Sequence, residues 1–219
     1  MNNTQHFDAV IFDLDGVIAN TAKFHFLAWR QLAEELGIHL PDEAESRLKG
    51  LERMASLELI LAESDAHYSE TQKQLLADKK NKHYCRLIET LTPMDLLRGA
   101  GELLEQLVIR DIPVALASAS KNAAAVIERL GIAERFTYIA DANRVQNPKP
   151  DPEIFLMAAQ GLNIAPAACL AIEDAAAGVE SINRAGMFSV GVGNQQELGE
   201  ANKVIGSLNE FSVEDYFKS

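Results

Sequence analysis

Two acidic side chains directly after the first apolar run of the chain have the spacing needed to act together in one reaction. Asp13 and Asp15 follow residues 9–12, a short run of the kind that forms a buried strand. Since residues two apart in an extended chain project to the same side, both carboxylates are predicted to face one space. A solvated acidic turn has the same composition, so the pair needs support from elsewhere in the sequence.

A hydroxyl-rich turn follows a later apolar run and opens a predicted helix; it consists of Ser118, Ala119, Ser120, Lys121 and Asn122. Hydroxyl groups and free backbone N–H groups at a helix N-terminus are suited to binding phosphate. The alternative is that Ser120 or Asn122 serves as a plain helix cap.

Two more polar segments follow apolar runs nearer the C-terminus. Lys149 stands between two prolines, which constrain its direction, although a surface turn has the same pattern. Glu173 and Asp174 follow the next run and open a predicted helix, where adjacent acids also occur simply because they stabilise the helix dipole.

All four segments share one feature, because each follows a different predicted parallel strand. The carboxyl ends of such strands meet at one edge of the sheet, where ligands bind. Asp13, Glu173 and Asp174 would then form an oxygen-rich site for Mg²⁺. The charges of the three carboxylates, one Mg²⁺ and Lys149 together sum to about zero. This site is therefore predicted to accept a dianionic phosphoryl group.

The elements that position these residues follow from the apolar pattern. Five runs without polar alternation are typical of buried parallel strands: residues 9–12, 113–117, 136–140, 169–172 and 189–192. From residue 100 onward they are separated by helical patterns near residues 103–108, 125–130, 154–159 and 176–183. This alternation predicts an α/β fold with a doubly wound, Rossmann-like parallel sheet.

The segment between the first two strands breaks that rhythm, since residues 21–92 show helical spacing and no strand pattern. Such an insertion is too long for a strand-to-helix loop. We therefore expect an inserted helical cap domain with hinge linkers at residues 17–94. The α/β catalytic core would consist of residues 1–16 and 95–219.

Charge and composition limit the partners of this chain. The 219 residues carry a formal net charge of -12, which disfavours nucleic acid and anionic membranes. Cys85 and Cys169 are expected to be free thiols, and the N-terminal residues have no signal-peptide pattern. We therefore expect a cytoplasmic monomer that acts on a small molecule.

The motifs around these residues resemble the haloacid dehalogenase-like superfamily with a helical cap. The resemblance rests on Asp-Leu-Asp-Gly-Val at 13–17, Ser118, Lys149 before Pro150, and Glu173-Asp174. It extends over roughly residues 7–195 toward the β-phosphoglucomutase family within that superfamily. The segments that carry this extension are Thr21-Ala22, His25-Phe26, Ala28-Trp29, Leu48-Lys49-Gly50, Arg53, Ser56-Leu57, Lys80-Asn81 and the turn at 117–122.

The resemblance implies a phosphomutase that interconverts β-D-glucose 1-phosphate and glucose 6-phosphate through β-glucose 1,6-bisphosphate. Asp13 would become an aspartyl phosphate and Asp15 would act as general acid and base. Asp13, Glu173, Asp174 and the Asp15 carbonyl would hold Mg²⁺. The phosphate and substrate contacts implied by the resemblance are Gly16, Thr21, His25, Lys49, Gly50, Arg53, Ser56, Lys80, Ser118, Ala119, Ser120, Lys121, Asn122 and Lys149.

The cap residues decide between a mutase and a phosphatase. Arg53 would grip the second phosphate together with residues 120–122, although a solvated cation is the alternative. Lys80 lies in a charge run with Lys79 and Lys82, and such runs are usually solvated. For His25, near the start of its helix, the alternative is that it has no functional role. Trp29 is predicted to be a packing residue rather than a substrate contact.

Three departures from the family pattern leave rival functions open. Ala19-Asn20 lacks a hinge carboxylate, Met54-Ala55 replaces an acidic pair after Arg53, and Pro148 replaces a serine. The first rival is a Mg²⁺-dependent sugar-phosphate phosphatase with the same core. The second is a catalytically idle sugar-phosphate sensor. Dehalogenase and phosphonatase chemistry are disfavoured, the former because it needs no Mg²⁺ acids and the latter because no cap lysine is singled out.

Overall fold

The computed structural model describes residues 6–218 and is built around a six-stranded sheet in which every neighbouring pair is parallel. The strand order is β3-β2-β1-β4-β5-β6. The strands are β1 (Ala9–Phe12), β2 (Val114–Leu116), β3 (Tyr138–Ile139), β4 (Cys169–Glu173), β5 (Phe188–Val192) and β6 (Lys203–Ile205).

Four helices between β1 and β2 form the inserted segment, and they are α1 (Ala22–Glu35), α2 (Ala44–Leu48), α3 (Arg53–Leu61) and α4 (Glu70–Ile88). They enclose an apolar cluster that includes Phe26, Trp29, Leu57 and Ile60. Helix α4 begins with a capping box formed by Ser69 and Gln72. The inserted helices therefore have a core of their own, while the predicted domain boundaries at residues 17 and 95 stay a prediction.

The sheet is covered on both faces by the remaining helices, which are α5 (Ala100–Ile109), α6 (Ala123–Arg129), α7 (Glu153–Leu162) and α8 (Ala176–Arg184). Val10 and Phe12 pack in one cluster, with residues of α5 and α6. Ala9 and Ile11 pack in another, with residues of α7 and α8. Because alternate side chains of β1 enter opposite layers, the predicted doubly wound α/β fold is confirmed.

Two elements differ from the sequence prediction. The sixth strand, β6, was not predicted, because three residues with an exposed lysine at the sheet edge give little apolar signal. Helix α2 was not predicted either, because its five residues carry only two apolar side chains. The other strands lie within one or two residues of the predicted runs.

Among residues 6–218, no helix combines the length and apolar character needed to cross a lipid bilayer.

Candidate active site

The acidic residues meet at the carboxyl edge of the sheet because of its strand order. β1 lies between β2 and β4, so the loops that follow these three strands are neighbours. Asp13 and Asp15 follow β1, and Asp174 follows Glu173, the last residue of β4. A site formed where the strand order reverses is the usual ligand position in an open α/β sheet.

Lys149 joins two of these carboxylates in the buried centre of the site. Its Nζ lies 2.6 Å from Asp13 Oδ1 and 2.7 Å from Glu173 Oε2. Burial opposes the charge on Lys149, but the two carboxylates outweigh it and raise its pKa. Only 8% of Lys149 is exposed, so the surface-turn alternative for this residue is wrong.

Asp13, Glu173 and Asp174 form a buried carboxylate cluster. Each offers an oxygen atom, and these atoms all lie within 4.8 Å of one another. Burial, followed by repulsion from Glu173, raises the pKa of Asp174 to about 7. A hard divalent cation prefers such oxygen ligands and would remove this repulsion. The residues present therefore fit a divalent metal site.

Two glycines permit the close packing of this cluster. A Cβ atom on Gly16 would overlap the Asp174 carboxylate, and Gly16 also has a φ of +84°. A Cβ atom on Gly178 in α8 would overlap the Glu173 carboxylate. Any larger residue at these positions would displace the acids from one another.

A lysine from the inserted segment reaches the same cluster. Lys49 Nζ lies 2.7 Å from Asp174 Oδ2 and donates a hydrogen bond of 2.9 Å to the Asp174 carbonyl. The next residue, Gly50, approaches Ala175 so closely that an added Cβ would lie 3.0 Å from the alanine Cβ. The segment around Lys49 therefore contacts the carboxyl edge of the sheet directly.

Asp15 is held by the start of α1. The Thr21 hydroxyl precedes this helix but does not cap it, and instead donates a hydrogen bond to Asp15 Oδ1. Burial raises the pKa of the Asp15 carboxyl, and the Thr21 hydrogen bond partly opposes that rise. His25 Nε2 lies 3.8 Å from the same carboxylate oxygen. Asp15 therefore has an environment distinct from that of Asp13.

His25 connects Asp15 to a buried lysine. Burial, together with the charges of Lys80 and Arg53, holds the pKa of His25 well below its usual value, so its ring is neutral. Lys80 Nζ lies at hydrogen-bond distance, 2.8 Å, from His25 Nδ1. When Lys80 is protonated it donates to Nδ1, and the ring proton is then on Nε2, which faces Asp15. The His25 ring also stacks on Tyr84, with centroids 3.9 Å apart.

Lys80 differs from the other lysines of its charge run. Lys79 and Lys82 are exposed, whereas only 2% of Lys80 is accessible. Its Nζ lies 4.6 Å from the ring centroid of Trp29, and both residues line a cavity formed by the inserted segment and the core. Burial, then the Arg53 charge, lowers the pKa of Lys80 to about 7. The prediction that Lys80 lies on a solvated helix face is therefore wrong, and a buried lysine with a strongly lowered pKa beside a cavity is typical of a functional site.

We expect Lys80→Met to stabilise the protein. The folded-state pKa lies below the unfolded value of 10.5, so the unfolded chain binds more protons between about pH 7 and pH 10. The free-energy cost of burying protonated Lys80 is therefore fully present below pH 7, and it decreases as the pH rises toward 10. Lys80→Met should raise the free energy of unfolding by about 2 to 4 kcal/mol at pH 7, and by much less at pH 10.

Urea unfolding at several pH values measures this difference. Lys82→Met is the matched control, because Lys82 is exposed on the same helix, and it should change stability little at any pH. Equal stabilities of Lys80→Met and the unmodified protein at pH 7 would contradict the expected penalty.

The turn after β2 is ordered by its own hydroxyl groups. Ser118 Oγ accepts a hydrogen bond of 3.1 Å from the Ser120 N–H, and Ser120 Oγ accepts one of 3.3 Å from the Asn122 N–H. Asn122 precedes α6, but its side chain does not cap that helix. Its Nδ2 instead donates 2.8 Å to Asn81 Oδ1 in α4, and Arg53 Nη2 donates 3.0 Å to the same oxygen.

A cavity of about 500 Å³ connects these groups. The predicted residues that line it are Asp13, Asp15, Gly16, His25, Lys49, Gly50, Arg53, Ser56, Lys80, Ala119, Ser120, Lys121, Lys149, Glu173 and Asp174. Thr21, Ser118 and Asn122 do not line it, and they act on lining residues through the hydrogen bonds described above. The Ser56 hydroxyl donates to the carbonyl of Glu52, the residue before α3, at 3.1 Å, so this bond occupies its proton.

Several lining residues were not predicted. Acidic side chains stand around the cavity at Asp42, Glu43, Glu45, Glu52 and Glu197. Neither periodicity nor motif spacing marks them, because they lie in loops or in the short helix α2, and the assembled structure brings them to the cavity. Asn81 was also given no role, although it adjoins Lys80 in the sequence.

Comparison with known proteins adds independent information. A family model described as haloacid dehalogenase-like hydrolase matches residues 7–186. The β-phosphoglucomutase of Bacillus subtilis (strain 168) is 47% identical over 208 residues, which cover 94% of this chain and 92% of that protein. A phosphorylated carbohydrates phosphatase of Thermotoga maritima is 30% identical over 183 residues, or 82% of each chain.

A solved structure is similar over nearly the full length. The crystal structure of β-phosphoglucomutase from Clostridium difficile has a TM-score of 0.91 and 47% sequence identity, and the match covers 95% of this chain and 94% of that one.

Proposed function

Because the chain belongs to the haloacid dehalogenase-like hydrolase family, we propose that it interconverts β-D-glucose 1-phosphate and glucose 6-phosphate through β-glucose 1,6-bisphosphate. The observation that carries this proposal is the 47% identity, over 94% of the chain, to a β-phosphoglucomutase. The family membership indicated by the motifs is thereby confirmed, and the mutase reaction is the function that the whole-chain similarity supports best.

Asp13 is the nucleophile in this proposal. One carboxylate oxygen attacks phosphorus, the bond from phosphorus to the sugar oxygen breaks, and Asp13 becomes an aspartyl phosphate. Lys149 lies against Asp13 Oδ1 at 2.6 Å, so it orients the carboxylate and offsets the charge that accumulates there. Phosphoryl transfer depends mainly on such positioning and charge neutralisation.

Asp15 supplies and removes the proton. It protonates the sugar oxygen that leaves phosphorus, and later takes the proton of the hydroxyl group that attacks the aspartyl phosphate. Burial raises the pKa of Asp15, which favours the protonated form needed for the first step. Thr21 and His25 hold this carboxyl group in place when the inserted helices cover the core.

Mg²⁺ is the divalent ion that we propose for the carboxylate cluster. Asp13, Glu173, Asp174 and the Asp15 carbonyl would hold it, since Mg²⁺ prefers oxygen ligands. When bound, it would neutralise phosphoryl oxygens and help to align the substrate with Asp13.

The inserted helices distinguish mutase from phosphatase chemistry. A mutase must retain a bisphosphate by its second phosphate while water is kept from the aspartyl phosphate. Arg53, from the inserted segment, and Ser120, Lys121 and Asn122, from the core, stand on the two sides of the cavity or next to it. They are the groups that we assign to the second phosphate.

A sugar-phosphate phosphatase is the alternative, because the Thermotoga maritima relative is 30% identical. A coupled assay for glucose 6-phosphate, run beside an assay for free phosphate, separates the two functions. The mutase proposal requires isomer formation well above phosphate release. Phosphate release from β-glucose 1-phosphate without glucose 6-phosphate would establish the alternative instead.

We propose that the enzyme is a monomer and acts in the cytoplasm. Cys85 and Cys169 are both free thiols, which suits a reducing compartment.

Arg53→Ala should lower mutase turnover far more than hydrolysis of acetyl phosphate, which has no second phosphate. The expected loss of mutase kcat/KM is about 10- to 100-fold, the range for charge-assisted hydrogen bonds to phosphate. Steady-state kinetics with both substrates measure the two losses. The matched control is Arg47→Ala, an exposed arginine of the same segment. Equal losses with both substrates would remove the role assigned to Arg53.

A further inference from the structure

We propose that Asn81 is a positioning residue for the second phosphate, which it serves by holding Arg53 against Asn122 without neutralising the arginine. This inference rests on the proposed function, since it concerns how the same site selects a bisphosphate. It adds a residue in the middle of α4 to the phosphate-binding arrangement.

The side-chain oxygen of Asn81 is shared between the inserted helices and the core. It accepts a hydrogen bond of 3.0 Å from Arg53 Nη2 in α3 and one of 2.8 Å from Asn122 Nδ2, beside α6. Asn81 and Asn122 are 41 residues apart in the chain. One oxygen atom therefore sets the distance between a cation of the inserted segment and the turn after β2.

Helix α4 contacts both ends of the Asn122 amide. While Asn81 accepts from its nitrogen, Cys85 Sγ lies 3.6 Å from its oxygen and donates to it. Asn81 and Cys85 are four residues apart and so lie on one face of the helix. The acceptor Asn81 matches the nitrogen of the Asn122 carboxamide, and the donor Cys85 matches its oxygen. Because these two contacts occupy its amide group, the Asn122 side chain does not cap α6.

Asn81 holds Arg53 with an uncharged side chain. A carboxylate at this position would orient Arg53 equally well but would cancel part of its charge and repel a phosphate dianion. The neighbouring acid, Glu52, accepts from the backbone N–H of Met54 at 2.7 Å instead. Within residues 6–218, Arg53 forms no ion pair. Its guanidinium charge is therefore available to an anionic ligand.

Single-turnover phosphorylation of Asp13 by two donors tests this role. β-Glucose 1,6-bisphosphate carries a second phosphate and acetyl phosphate does not, so the ratio of their rate constants reports selection through the second phosphate. Asn81→Ala removes the shared acceptor, and Asn81→Asp keeps its shape while adding charge. We expect both variants to lower the ratio at least about tenfold. Asn81→Ala does so because Arg53 loses one hydrogen bond, and Asn81→Asp because the added carboxylate cancels part of the Arg53 charge and repels the second phosphate.

Gln74→Ala is the matched control, because it removes an exposed carboxamide from the same helix, and it should keep the ratio of the unmodified enzyme. If Asn81→Asp kept that ratio, the neutral charge would have no role and the inference would be wrong. Equal losses with both donors would reduce Asn81 to a packing residue. Asn81→Asp is nearly isosteric, so it decides the question even where Asn81→Ala folds poorly.

The same experiment separates this inference from the proposed function. If the unmodified enzyme accepts phosphate from the bisphosphate on Asp13 but does not convert β-glucose 1-phosphate into glucose 6-phosphate, the mutase proposal fails. The donor ratio still measures the contribution of Asn81 in that case.

Discussion

Asp13→Asn should abolish phosphoryl transfer while leaving the fold intact. The amide has nearly the same shape as the carboxylate but is a far weaker nucleophile, so no phosphorylated enzyme can form. We expect turnover to fall by at least about 10⁴-fold, as found when a covalent nucleophile is removed. Intact-protein mass spectrometry after incubation with a phosphoryl donor measures the loss directly, because the unmodified enzyme gains one phosphoryl group and Asp13→Asn gains none.

The stability of Asp13→Asn provides the control. Burial and the neighbouring Glu173 raise the pKa of Asp13, while Lys149 opposes them. Removal of this charge therefore relieves one repulsion and loses one ion pair, and a folded variant is expected. Retention of phosphorylation in this variant would exclude Asp13 as the nucleophile. The same measurement excludes the idle sensor, because an inert protein would not be phosphorylated in its unmodified form either.

Asp15→Asn should separate the two steps of catalysis. Without a proton donor for the sugar oxygen, turnover is expected to fall by about 10²- to 10⁴-fold, the usual contribution of general acid–base catalysis. Phosphorylation of Asp13 by acetyl phosphate should fall much less, because acetate leaves without needing a proton. Metal affinity should also change less than turnover, because the Asp15 carbonyl is retained.

Steady-state turnover, single-turnover phosphorylation by acetyl phosphate and Mg²⁺ titration together measure these effects. Near-normal kcat in Asp15→Asn would refute the acid–base role. An equal loss of turnover and of phosphorylation by acetyl phosphate would assign Asp15 to the orientation of Asp13 rather than to proton transfer.

The edge of the sheet that carries the acids was predictable because its determinants are local. The apolar runs before Asp13 and Glu173 form β1 and β4, and the chain leaves each strand at the carboxyl end. Once the strands are parallel, these acids must lie near one another. Lys149 also follows a strand of the parallel sheet, so its side of the sheet was predictable. Its burial between two carboxylates is seen only in the assembled sheet.

The cavity wall contributed by the inserted helices was less predictable. Lys79, Lys80 and Lys82 look alike in the sequence, yet only Lys80 turns inward, because of its position on α4 relative to Trp29 and His25. Asn81 belongs to a segment that carries the family resemblance, but the sequence gave it no role, since its two hydrogen-bond partners come from other parts of the chain.

By itself, the sequence therefore determined the class of the sheet, the nucleophile motif at Asp13 and the acids at 173 and 174, since strand periodicity and strand-end position are properties of short segments. Only the tertiary structure decided which cations are buried and how the inserted helices meet the core. Those features depend on contacts such as Lys49 with Asp174 and Asn81 with Asn122, which lie 125 and 41 residues apart. Local periodicity carries no information about contacts at such separations, because they form only when separately folded segments pack together.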